Sequence, residues 1–147
     1  MPSKRTPRIP DHEAWGSLDD LDVRYAFKLY GGKSVAEAMP HFIHSPIERA
    51  DELRFAPWDV FAYYVFCFTD FLISDASQGE ADCASCFLRL VLGKARAAPQ
   101  RLRDLYPRLK AAVEVVAGRQ SFYDADVSIY GLFSDIRREI EAAVAST

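Results

Sequence analysis

The chain lacks most of what would announce a familiar chemistry. It has three cysteines in 147 residues, an odd number that cannot pair completely. No disulfide framework is therefore expected, and a reducing compartment, the cytoplasm, is the expected setting. It has no run of roughly 20 apolar residues, the length a bilayer span needs. The greasiest stretch, Pro57–Ser74, is shorter and is interrupted by Asp59 and Asp70, so no membrane partner is expected. Neither sign of charge dominates. A formal charge of -3 and a pI near 5.6 supply no broad positive field, which argues against nucleic acid as a partner. Lys4, Arg5 and Arg8 make a local basic cluster, but Pro2, Pro7 and Pro10 interleave it and no apolar core follows. Residues 1–16 therefore read as a flexible arm and not as a secretory signal. Internal repeats, low-complexity tracts and alternating apolar–polar runs are missing as well, so strands have almost no signal.

What is present is helical patterning around one aromatic stretch. In PWDVFAYYVFCFTDFLIS, residues 57–74, Phe61, Tyr64, Val65, Phe68 and Leu72 recur at the three-and-four spacing of one helical face. Val60, Tyr63, Phe66, Cys67 and Phe71 make the other faces apolar too, so this helix must be covered on most sides. Pro57 suits its first position, where a missing N–H costs nothing. Ser17 and Asp20 open an earlier helix with a stripe at Leu18, Leu21, Tyr25 and Leu29, closed by Gly31-Gly32. Ser34-Val-Ala-Glu37 and Ser45-Pro-Ile-Glu48 are capping boxes, and Pro40 is expected to end or kink the helix between them. Beyond the Asp75–Glu80 turn, Cys83, Cys86, Phe87, Leu90 and Val91 share a face. Leu102, Leu105, Tyr106, Leu109, Val113 and Val116 share another, with Pro107, off that stripe, expected to kink or break the helix. Asp124 or Asp126 caps a last helix with Ile129, Phe133, Ile136, Ile140 and Val144 on its dry side; Val127–Tyr130 before it has room for a short extended piece. The pattern predicts an all-α fold, an irregular and partly orthogonal bundle of six to eight helices in one domain over residues 17–147. The repeated prolines argue against a regular four-helix bundle.

Candidate chemistry is sparse. Cys83-Ala-Ser-Cys86 stands near a helix start, where backbone N–H groups lower a thiol's pKa. With Glu80 upstream it is similar to the all-helical alkylhydroperoxidase-type disulfide reductases. Leu90, however, stands where their histidine would, and both cysteines fall on an apolar stripe. His41 and His44 are one turn apart, with Glu37 four residues before His41, a spacing that suits a metal with an open position if the backbone there is helical. Pro40 inside the segment argues against that geometry. Asp70 interrupts the central helix, and Arg89, Arg137 or Arg138 is its expected ion-pair partner. Gly31-Gly32-Lys33-Ser34 ends like a phosphate loop but lacks the first glycine and a preceding strand, so it reads as a C-cap followed by an N-cap.

Taken together, Gly32-Lys33-Ser34-Val35-x-x-Ala38, then Asp51-x-Leu53-x-Phe55, then Phe61-x-Tyr63-Tyr64 resembles a pattern in small uncharacterised bacterial all-helical proteins. The resemblance spans about residues 18–74, with a weaker echo at Ile129-Tyr130-Gly131. It implies an accessory or immunity-like interaction protein and carries no activity, cofactor or catalytic residue. The residues point the same way: caps, turns and wet faces account for the polar side chains, and no cofactor is expected. The leading expectation is a non-catalytic binding protein with a protein partner or a second copy of itself. Trp58 and Tyr63, off the buried face of the central helix and next to Asp59, are its candidate anchors. The competing expectation is an enzyme, either thiol-redox through Cys83, Cys86 and Glu80 or metal-dependent through Glu37, His41 and His44.

Overall fold

In the computed structural model, which describes residues 8–145, side-chain caps open some of the helices and a proline at the first turn opens others. Helix α1 (Leu21–Tyr30) begins where the Asp20 carboxylate accepts from the N–H groups of Asp22 and Val23. Helix α2 (Val35–His44) begins with the full Ser34–Glu37 capping box, whereas α3 (Pro46–Phe55) has a proline at its first position and its Ser45 N-cap makes no capping hydrogen bond, so the expected second box does not form. Then follow α4 (Trp58–Leu72), α5 (Ala81–Ala97), α6 (Pro99–Gly118), a four-residue α7 (Val127–Tyr130) and α8 (Phe133–Ala145). Seven of these have ten or more residues, and there is no strand among the described residues. The protein is an all-α helical bundle, as its patterning predicts. No described helix is long and apolar enough to cross a membrane.

Helix α4 is the centre of the first half. It packs against α2, α3, α5, α6 and two single turns of 3-10 helix, Glu13–Trp15 and Asp75–Ser77. Nine of its fifteen residues are buried. Its last free carbonyl, on Leu72, accepts from the Tyr123 hydroxyl at 2.8 Å, from Ser77 Oγ at 3.1 Å and from the Arg119 guanidinium. Orphan carbonyls at a helix end need such partners when they are shut away from water. A second centre was not visible in the pattern. Helix α5 is buried on nearly every side, from Cys83 and Ala84 to Leu92 and Ala95, and α8 packs on α5 and α6 instead of on α4.

Residues 1–7 of the predicted arm, Lys4 and Arg5 among them, lie outside the described residues, but the part from Arg8 to Gly16 packs on the domain through Trp15. Trp15 is 1% exposed and its ring stands 5.4 Å from Phe27, 5.7 Å from Tyr30 and 5.9 Å from Tyr64. A lone tryptophan in a polar stretch has no periodicity to betray it. Gly16 beside it takes φ +77°, a conformation costly to any residue with a Cβ. In α1 the buried side is Val23, Ala26 and Tyr30, while Leu21 and Tyr25 are 72% and 56% exposed. Both stripes have helical spacing, and the smaller one lets α1 lie close to α3. Pro57 takes the N-cap of α4, one place before its expected position.

Pro40 and Pro107 end nothing: α2 and α6 continue through them. Both prolines are exposed, so the carbonyls they leave unpaired face outward, where water can satisfy them. Val127–Tyr130 is a helical turn capped by Asp126, not an extended piece, and Ile129 is 73% exposed instead of joining the α8 stripe. Gln120 shapes that connection. Its amide donates to the Ala125 and Gly131 carbonyls, and its oxygen accepts from the Phe133 N–H at the start of α8.

Candidate functional site: a groove along the central helix

Apart from Trp58, every α4 residue that escapes full burial lies on one stripe: Asp59, Ala62, Tyr63, Phe66 and Asp70. These positions differ by three, one, three and four residues and so face the same way on an α-helix. Two recesses follow the stripe. The first, of about 690 Å³, is walled by the Arg8–Ala14 segment and floored by Asp59, Ala62 and Tyr63. The second, of about 460 Å³, is walled by Val35 and Met39 of α2 and floored by Tyr63, Phe66 and Asp70. Tyr63 and Arg108 line both, so the two recesses are stretches of one open groove.

Each side chain is held by the fold. The Tyr63 hydroxyl accepts from the Val35 N–H at 3.2 Å, satisfying a first-turn donor of α2 that no intrahelical carbonyl can reach. Its ring stands edge-on to Tyr64 at 4.9 Å. The Tyr64 hydroxyl donates to the carbonyls of Lys33 at 2.7 Å and Tyr30 at 3.1 Å, and Cys67 Sγ donates to the Val35 carbonyl. The Lys33–Val35 turn and the α4 aromatics, some thirty residues apart in sequence, are thus one hydrogen-bonded junction. Burial away from water pushes the Tyr64 hydroxyl's pKa well up, so it stays a neutral donor. On the other wall the Arg108 guanidinium lies 4.5 Å from the centre of the Phe66 ring, a cation–π contact that orients the charge over the floor.

Of the residues singled out from sequence, Tyr63 lies in the middle of this groove. Trp58 lies outside it, half-buried, with Phe61 at 5.1 Å and the Arg101 guanidinium 5.8 Å from its ring. Asp70 is exposed on the floor and not buried in an ion pair. Its expected partners are engaged elsewhere: Arg137 with Glu114 and Glu141, Arg138 with Asp135, and Arg89 with the Tyr130 carbonyl. Arg108, Met39 and Phe66 were not picked out, because groove walls come from three separate stretches of chain. The signal available was that Asp59 and Asp70 share one face of an otherwise apolar helix.

Most residues of the two enzymatic readings are buried or already engaged. Cys83 is buried and Cys86 half-buried, both as free thiols. Burial drives the Cys83 pKa far up and the Cys86 pKa up to about 11, with the Glu80 carboxylate adding to the upward push on Cys83. Nucleophilic cysteines need the opposite shift. Glu37 is spent on the capping box, accepting from the Ser34 N–H at 2.9 Å. His44 shares a hydrogen bond with Ser45. His41 has its pKa lowered by desolvation and by the nearby Arg49 charge. No group of three His, Cys, Asp or Glu side chains converges as a metal would need among the described residues.

One buried polar cluster was missed altogether. Arg49 and Glu52, with side chains 7% and 6% exposed, pair through two 2.7 Å hydrogen bonds, and the Tyr30 hydroxyl donates to the same carboxylate. In sequence they are two more charges on a polar helix. Their partners inside the protein make this cluster structural. No protein family, curated protein or solved structure matches this chain, so the meaning of the groove rests on its own geometry.

Proposed function

We propose that the protein acts by contact: it is a small non-catalytic binding protein, of an accessory or immunity-like kind, that holds a segment of a partner polypeptide in the groove along α4. One observation carries this. The helix that buries nine of its fifteen residues leaves Tyr63 and Phe66 only half-covered, beside Met39 and beneath Arg108. Aromatic, methionine and arginine side chains around a recess are what interfaces are enriched in. Tyr63 presents ring area with little further rotamer freedom to lose, since its hydroxyl is already fixed on Val35. The capping residues and the buried Arg49–Glu52–Tyr30 cluster are satisfied by partners within the protein, which favours contact over catalysis. Three free cysteines, two of them buried, support a reducing compartment, the cytoplasm, as the place of work.

The test is a photoreactive phenylalanine analogue at position 66, with a control at Ala142 on the exposed side of α8, irradiated in cells. One polypeptide adducted at position 66 and not at 142 is expected. Once purified, it should bind the native chain and lose binding to a Phe66→Glu variant whose melting temperature is retained. No adduct above the control, or equal binding to Phe66→Glu, defeats the proposal.

A further inference from the structure

We infer that the occupant of the groove is an amphipathic helix of the partner with basic side chains about three turns apart, an inference that rests on the contact function proposed above. The first reason is backbone chemistry. The floor and the Val35–Met39 wall are helices, whose N–H and C=O groups are internally bonded, the Arg8–Ala14 wall is loop leading into a single 3-10 turn, and no strand edge exists among the described residues. An extended segment would find no ladder to join, whereas a helix arrives with its own backbone satisfied. The second is shape. Ala62, Tyr63 and Phe66 form a ridge at three-and-four spacing, the relief that a second helix packs against.

The third reason is charge. Asp59 and Asp70 stand at the two ends of the apolar floor, eleven residues or about 16 Å apart at the helical rise. Both are exposed, and no cation among the described residues pairs with either. Asp59 suits the first turn of α4, where the dipole favours a carboxylate. Asp70 lies in the last turns, where the dipole disfavours one, so helix stability does not account for it. Asp11 and Glu13 add negative charge to the rim, against Arg8 and Arg108, and Arg108 is already placed over Phe66. A partner with lysine or arginine at both ends of an apolar stripe complements this field, and such complementarity sets choice of partner more than raw affinity.

Two synthetic amphipathic helices test the inference, each with a leucine stripe, one with lysines and one with glutamates eleven positions apart. Binding is read by fluorescence anisotropy against the native chain, Asp59→Asn/Asp70→Asn and Asp70→Lys. The native chain should favour the lysine peptide by about tenfold, the scale of two exposed ion pairs. The double Asn variant should lose most of that preference and Asp70→Lys should reverse it. Equal binding of both peptides, or a lysine preference untouched by these substitutions, overturns the inference while the contact function stands. Binding of neither peptide also overturns it, and the cross-link at position 66 then reports separately on whether the groove is used at all. A chain that instead self-associates, with Asp70→Lys dissolving the dimer, assigns the groove to a second copy and likewise overturns it.

Discussion

Trp15→Ala is the sharpest perturbation, because it asks whether the segment before α1 is part of the folding unit. The indole is 1% exposed and touches three rings on two helices. A buried aromatic of this size removes about 150–250 Å² from water, which at about 25 cal/mol/Å² amounts to roughly 4–6 kcal/mol. One term runs the other way. The indole N–H is buried without a hydrogen-bond partner, a defect costing about 1–3 kcal/mol that the substitution removes. The net loss should be about 3 kcal/mol, within the span measured for aromatic truncations in cores. Trp15→Phe keeps most of the ring contact and discards the orphan donor, so it should cost less than about 1.5 kcal/mol. Urea denaturation followed by far-UV circular dichroism gives both values, with the slope watched for a change in the surface exposed. If Trp15→Ala loses under 1 kcal/mol, or if Trp15→Phe is as damaging as Trp15→Ala, the placement of Trp15 in the core is wrong. The same segment walls the groove, so Trp15→Ala should also weaken binding there.

Glu52→Ala strands the buried Arg49 guanidinium and the Tyr30 hydroxyl and should cost about 3–5 kcal/mol, whereas Arg49→Met with Glu52→Leu should fold with near-native stability; equal losses would contradict a paired cluster. Iodoacetamide should label Cys86 of the native protein at pH 8 on the order of a hundredfold more slowly than a free thiol, and a fast-labelling cysteine refutes the structural assignment of the pair. Stability should fall as pH rises above about 9. The unfolded chain then releases thiol protons that buried Cys67 and Cys83 and half-buried Cys86, with pKa values raised in the fold, retain, so the folded state binds more protons and each such group removes about 1.4 kcal/mol per pH unit. A melting temperature flat to pH 10.5 would contradict this.

Much of the bundle was legible from local signals. Ser34 with Glu37 located the start of α2, and the three-and-four spacing of Phe61, Tyr64, Phe68 and Leu72 located the buried side of α4. The same signals failed where two answers had equal local merit. In α1 the Leu21–Tyr25 stripe and the Val23–Ala26–Tyr30 stripe have the same period, and only the fit against α3 chose between them. Pro40 and Pro107 read as kinks or breaks because sequence does not say which side of a helix faces water. Cys83 and Cys86 look reactive by spacing, but burial raises their pKa values, and spacing does not show burial.

The sequence by itself determined that this chain is all-helical, where most of its helices begin, and that one of them is apolar nearly all round. Those properties follow from backbone hydrogen-bonding needs and from the period of apolar residues, both settled within about a turn or two of chain. The tertiary structure decided that Trp15 is core, that Arg49 and Glu52 pair in the dark, and that Asp59, Tyr63, Phe66 and Asp70 face a groove. Its walls come from the Arg8–Ala14 segment, α2 and α6, stretches up to a hundred residues apart. A concave surface is a relation between distant segments, and no local period in the chain encodes it.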